Sequence, residues 1–237
     1  MTETKQRKKR IDAIDALRGL AVVLMFFHHF FYDLVEFLDA PEWLFTNPVF
    51  NVLHYVFAGV FIGLCGVSSR FSRSNVKRGI ITLIAATVIS VVTHFMGMPI
   101  LFGVLHLLAF CMLFYGITGR LWEKLPMWIM PVFTVLGTVI SAWCVNNIET
   151  ESENLWILGW TYDGFVSHDY FPLFPWIFVF LFGTWLGYYI KEHRFPEKFY
   201  TLSIPVLPQI GRQALIIYIV HQPILYGITM VIKNLIK

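Results

Sequence analysis

The chain has 237 residues, of which 57% are hydrophobic, 17% aromatic and only 14% charged, and its mean hydropathy is +0.65. About a quarter of the residues in an ordinary water-soluble globule are charged, so these figures exclude one and predict an integral membrane protein. The net charge of +3 says little as a total, because in a membrane protein the distribution of charge carries the information.

The chain begins with a basic arm, Lys5, Arg7, Lys8, Lys9 and Arg10, ahead of an apolar run. This resembles a signal peptide, but no small-residue cleavage site follows Phe37 and the run is long enough to cross a bilayer. An uncleaved first span is expected. Seven stretches of spanning length occur near Gly19 to Phe37, Val49 to Val67, Ile80 to Phe95, Ile100 to Thr118, Met127 to Val145, Phe174 to Ile190 and Ala214 to Ile232. Each approaches the roughly 20 residues a membrane helix needs, which predicts an all-α, polytopic transmembrane helix bundle.

The connectors sort by charge. The arm through Arg18, the turn Arg70 to Arg78, the turn Arg120 to Lys124 and the stretch Lys191 to Arg212 hold sixteen of the 18 basic residues. The alternate connectors hold Asp39, Glu42, Glu149, Glu151, Glu153, Asp163 and Asp169, with no Lys or Arg. The positive-inside rule then predicts a cytoplasmic N-terminus and an external C-terminus, although Lys233 and Lys237 run against it. A single domain over 1–237 is expected, with a basic cytoplasmic arm over 1–16 and an external loop over 146–173. In that loop Trp156, Trp160 and Tyr162 suit either sugar stacking or a membrane interface, or the loop is simply solvated. Pro196, Pro205 and Pro208 should break any helix in the last basic connector. Gly59 with Gly63, and Gly183 with Gly187, predict close helix packing.

Cys65, Cys111 and Cys144 are odd in number and lie within apolar segments, with no CxxC or Cys/His metal spacing, so neither a disulfide framework nor a metal site is expected. Ionisable groups at membrane depth are the better guide to chemistry, since each costs free energy there. The first span holds His28, His29, Asp33 and Glu36, and helical spacing puts His29, Asp33 and Glu36 on one face. A carboxylate one turn from an imidazole can fix its tautomer and raise its basicity, as a general base requires. His54, His94, His106 and His221 add further imidazoles in four other spans. A proton-transfer site and non-covalent bis-histidine haem ligation both fit that concentration, and interhelical hydrogen bonding by structural histidines is the plainer reading.

The run from Arg10 through Asp15 and Arg18 to His28-His29 resembles the opening of the transmembrane acyltransferases. These are the heparan-alpha-glucosaminide N-acetyltransferase catalytic family, with a bacterial group inside it, and the more distant acyltransferase-3 family. Similar stretches follow in order: Phe61 to Ser68, Ser72 to Asn75 with Arg78-Gly79, Phe102 to His106, Asp169 to Trp176, and Ile217 to Pro223. The resemblance implies a membrane enzyme passing an acyl group, commonly acetyl, from cytoplasmic acyl-CoA to a hydroxyl or amine of a carbohydrate-type acceptor. The acyltransferase-3 pattern of an arginine, ten residues and a histidine falls on Arg18 and His29. His29 is therefore the leading catalytic residue, with Asp33 orienting it and His28 beside it. The resemblance departs near Ala40, where the heparan-type enzymes carry a histidine proposed as catalytic, and His54 could substitute for it.

A CoA thioester is polyanionic, and Arg18, Arg73, Asn75, Arg78 and Arg212 are assigned to hold it, although topology alone would also place cations there. His54, His106, His221, Asp169 and Trp176 are assigned to the acceptor. Acetyl-CoA or another acyl-CoA is the expected co-substrate, with no metal. The bilayer is the expected surrounding, nucleic acid is not an expected partner, and self-association stays open. The bacterial cytoplasmic membrane is the expected location. A non-enzymatic proton-coupled transporter remains the alternative, with haem binding behind it.

Overall fold

A computed structural model describes residues 10–236, so residues 1–9 of the basic arm lie outside it. Among the described residues the chain is helical: α1 (Asp12–Leu38), α2 (Trp43–Thr46), α3 (Pro48–Phe71), α4 (Asn75–Phe95), α5 (Val104–Trp122), α6 (Ile129–Asn147), α7 (Leu173–Lys191), α8 (Glu197–Thr201), α9 (Leu207–Arg212) and α10 (Ala214–Ile236). Seven of these, α1, α3, α4, α5, α6, α7 and α10, are long and apolar enough to cross a membrane, and each overlaps one expected span. Hydrocarbon offers the backbone no hydrogen-bond partner, so a chain this apolar satisfies its N–H and C=O groups inside helices. Val132, Val135, Leu136, Val139 and Ile140 of α6 are exposed, an outward apolar face that suits lipid. The hydroxyls of Thr134, Thr138 and Ser141 on the same helix each donate to a carbonyl one turn back, which keeps them satisfied without water.

Several helices run past the apolar limits, α1 from Asp12 and α3 to Phe71. The Ser74 hydroxyl accepts from the Lys77 N–H at 3.2 Å and starts α4 five residues before the apolar run. The fourth span starts later than expected, because Ile100 to Gly103 are not helical and Phe102 bridges to Tyr170. Pro196 and Pro208 stand at the starts of the short helices α8 and α9, and Pro205 lies between the two, so the last basic connector is broken as its prolines predict.

The described chain divides into two compact units, residues 10–57 with 193–236, and residues 58–192. In the first, α1 is the hub and packs on α9, α10, α2 and α8. Gly211 makes the α1–α9 approach possible, because a Cβ there would strike the Asp15 carbonyl oxygen. In the second unit α5 pairs with α4 and with α7, and α7 pairs with α6. Its core is formed by Leu107, Cys111, Phe180 and Leu181 together with Ile62 and Val67 of α3. The close packing expected at the glycines is present at Gly183 and Gly187, where a Cβ would meet the Gly63 and Val67 carbonyls so that α3 and α7 touch backbone to backbone, whereas at Gly59 and Gly63 a Cβ would make only ordinary contacts.

Candidate functional site

The first unit gathers four histidines from three helices. His28 and His29 are neighbours on α1 and point about 100° apart, so they meet different partners. The His28 ring stacks on His54 of α3 with centroids 4.0 Å apart and 22° between planes, and Phe45 of α2 lies 5.0 Å away. His29 meets His221 of α10 edge to face at 4.7 Å and 83°. Bis-histidine haem ligation needs two imidazoles facing each other across an iron and a macrocycle. One of these pairs is in ring contact and the other is edge to face, so neither has that disposition.

The tautomers follow from the hydrogen bonds. His29 Nδ1 lies 3.0 Å from the Met25 carbonyl and His221 Nδ1 lies 2.6 Å from the Tyr218 carbonyl. A carbonyl only accepts, so both Nδ1 atoms carry hydrogen and both Nε2 atoms of the neutral rings hold a lone pair. The orientation expected from Asp33 therefore comes from Met25 instead. The imidazole folds back over the turn N-terminal to it, the usual direction for a helical side chain. Asp33 is fully buried at 0% exposure and accepts a 2.8 Å hydrogen bond from Gln222 Nε2 of α10. Its Oδ2, Gln222 Oε1 and His221 Nε2 are buried without a partner. Glu36, the third member of the predicted face, is exposed. Gln222 was not among the expected site residues, although it lies between His221 and Pro223 in one of the stretches that carry the resemblance.

The predicted arginines fall into two groups. Arg18 and Arg212 share the carboxylate of Asp15, Arg18 Nη1 on Oδ1 at 2.8 Å and Arg212 Nε on Oδ2 at 3.2 Å. Arg212 Nη2 also reaches Asp12 Oδ1 at 2.7 Å, and Arg18 donates to the Gly211 carbonyl at 3.3 Å. These two cations clasp α9 onto α1. In the second unit, Arg73 is exposed and Arg78 half-buried, and neither has a carboxylate partner among the described residues. Asn75 Nδ2 donates to the Ser69 carbonyl at 3.0 Å, and its Oδ1 is buried without a partner. Arg70, which the sequence analysis did not single out, pairs with Glu123 at 2.6 Å and lies over the rings of Tyr115 and Tyr188.

Of the residues assigned to the acceptor, His106 and Asp169 are built into the start of α5 and the loop that covers it, and Trp176 lies in the first turns of α7. The Gly103 N–H donates to His106 Nδ1 at 3.3 Å, so Nε2 carries the hydrogen that faces Ser90 Oγ, also at 3.3 Å. The Val104 N–H donates to Asp169 Oδ2 at 3.1 Å, which satisfies a helix-start donor. Trp176 packs on Phe171 at 5.4 Å. Trp156, Tyr162, Phe165 and Tyr170 form one aromatic cluster within the loop. The Tyr170 hydroxyl donates to the Trp156 carbonyl, and burial pushes its phenol up to about 12. Of the two groups of predicted residues, the structure thus brings His28, His29, His54, His221 and Asp33 together in one unit, and in the other holds His106 and Asp169 at the capped start of α5 and Trp176 against Phe171.

The family model described as "Heparan-alpha-glucosaminide N-acetyltransferase, catalytic" matches residues 10–223. Comparison with curated proteins and with solved structures gave no match.

Proposed function

We propose, from the premise that this chain belongs to the heparan-alpha-glucosaminide N-acetyltransferase catalytic family, that it moves an acyl group from acyl-CoA to a hydroxyl or amine of a carbohydrate-type acceptor with His29 as general base. A multi-pass integral membrane protein of the acetyltransferase kind is the frame for that reading. The observation that carries it is the tautomer of His29: Nδ1–H is spent on the Met25 carbonyl, which leaves Nε2 free to take a proton.

In the proposed step, His29 Nε2 removes the proton from the acceptor O–H or N–H as that atom attacks the thioester carbonyl. The C–S bond breaks, and the CoA thiolate takes the proton back from the imidazolium, so a hydroxyl acceptor leaves no net proton. The buried Asp33 carboxylate, one turn away on α1, stabilises the imidazolium through space. His221 stands edge to face against His29, and contacts the acceptor. The anionic phosphates of CoA need cations whose charge the chain has not already neutralised. Arg73 and Arg78 meet that need, with Asn75 between them, whereas Arg18 and Arg212 serve the α1–α9 clasp. The whole chain acts as a single acyltransferase domain, with its N-terminus cytoplasmic by its charge distribution, in a bacterial cytoplasmic membrane.

The test is thioester consumption. Purified protein in detergent, given acetyl-CoA and a panel of sugars, should release free CoA thiol, and His29→Ala should abolish the release while remaining folded. Full activity in that variant would remove His29 from the role. Solute movement without thioester consumption would instead favour the transporter.

A further inference from the structure

Asp33, Gln222 and His221 leave three polar atoms in the interior of the first unit without a partner. They are Asp33 Oδ2, Gln222 Oε1 and His221 Nε2. The chemistry of each can be read from its neighbour. A carboxylate only accepts, so the amide nitrogen of Gln222 must be the atom facing Asp33 Oδ1 at 2.8 Å, which turns Oε1 away from it. His221 has spent Nδ1–H on Tyr218, so Nε2 offers only a lone pair. All three are acceptors, and none faces a donor. Asp33 is 0% exposed and His221 4% exposed, so solvent does not satisfy them.

Buried acceptors left without donors each cost free energy, and three on adjoining side chains are not what apolar packing would produce. Across the same helix pair, His221 lies against His29 with ring centroids 4.7 Å apart, so these acceptors adjoin the imidazole assigned to proton removal. Their complement is a group with several O–H or N–H hydrogens close together. Sugars carry such groups on adjacent ring carbons.

Resting on the acyl-transfer reading above, we infer that Gln222 Oε1, Asp33 Oδ2 and His221 Nε2 form an acceptor-only subsite. It binds the hydrogen-bond-donating group next to the one being acylated, and Gln222 determines acceptor specificity there. Gln222 does this with both ends of its amide: Nε2 holds Asp33 in place, and Oε1 meets the substrate.

The experiment gives purified full-length protein acetyl-CoA with glucose, glucosamine and their monodeoxy analogues one at a time, following CoA thiol and, separately, thermal unfolding. For a sugar the wild type accepts, the analogue lacking the neighbouring donor should show a KM about tenfold higher or more, the worth of one hydrogen bond to such a site. Gln222→Leu should raise the KM for the parent sugar by about the same factor and should treat parent and deoxy sugar alike. A merely structural Gln222 would lower kcat for both sugars and keep the discrimination, which overturns the inference. Gln222→Asn, which keeps an amide but withdraws it by one methylene, is the second variant should the leucine variant not fold. If the wild type releases no CoA with any sugar, the acyl-transfer reading fails; a rise in unfolding temperature with the parent sugar, absent with its deoxy analogue, would still uphold the subsite. No release and no such rise overturns both.

Discussion

His29 of α1 and His221 of α10 stand edge to face with ring centroids 4.7 Å apart, and each donates Nδ1–H to a carbonyl of its own helix. The two rings therefore present their basic nitrogens without help from a carboxylate. Histidine pairs in which a carboxylate holds the tautomer depend on that acid group; here the backbone does the work, and the backbone cannot be mutated away.

Removing the His29 side chain is expected to lower kcat on the order of 10²–10⁴-fold, the usual worth of a positioned general base. Asp33→Asn should have a smaller effect, because the amide can still meet Gln222 through its oxygen and Met25 still sets the His29 tautomer. Initial rates of CoA release in both variants check this. Equal losses in the two would mean that Asp33 orients the base after all.

The Asp15 carboxylate serves Arg18 and Arg212 at once and is 7% exposed. Asp15→Ala removes the carboxylate that Arg18 and Arg212 share at the α1–α9 contact and leaves Arg212 only Asp12. A loss of about 2–4 kcal/mol in stability is expected, since each bond removed is charge-assisted and the site is largely shielded. Gly211→Ala should act at the same contact by forcing a methyl against the Asp15 carbonyl. Thermal unfolding in detergent measures both, and an unchanged midpoint in both variants would show that the clasp contributes nothing.

The spans were legible because length and hydropathy decide them locally, whereas the helix limits, such as the Ser74 cap that starts α4 or the non-helical Ile100 to Gly103 before α5, depend on contacts that hydropathy does not record. The shared face of His29 and Asp33 was legible for the same reason, being a matter of spacing along one helix. The partner of Asp33 was not, because Gln222 is 189 residues away and no periodicity relates α1 to α10. The arginines show the same limit. Positive charge at the span ends is visible in the sequence, but whether it is spent depends on Asp15 meeting α9. His106 was read as a membrane-depth imidazole, and only the Gly103 N–H and Ser90 beside it show that both ring nitrogens are engaged.

The phosphate-binding role proposed for the α3–α4 turn can be separated from acyl transfer by changing the donor. Arg73→Ala with Arg78→Ala should raise the KM for acetyl-CoA about tenfold or more, since two charge-assisted contacts are lost. The same double variant should use S-acetylpantetheine, which carries no phosphate, as well as the wild type does. A rise in KM for both donors alike would mean that the arginines support the fold, and no rise for either would remove the turn from donor binding.

Tyr170 supplies a test of the loop that needs no substrate. Its phenol is raised from the ordinary value near 10 to about 12 by burial, so the folded loop favours the neutral form, which donates to the Trp156 carbonyl. A group raised on folding contributes stability that is fully present below its unfolded value and lost as pH rises through its folded one. The loop should therefore hold its aromatic cluster up to about pH 10 and loosen between there and about pH 12. The phenolate absorbance difference between wild type and Tyr170→Phe reports the ionisation, and near-ultraviolet dichroism of the loop tryptophans reports the loosening. Tyr170→Phe should also lose about 1 kcal/mol at neutral pH with the hydrogen bond. A difference spectrum with its midpoint at pH 10 would place Tyr170 in solvent and undo the packed loop that covers the start of α5.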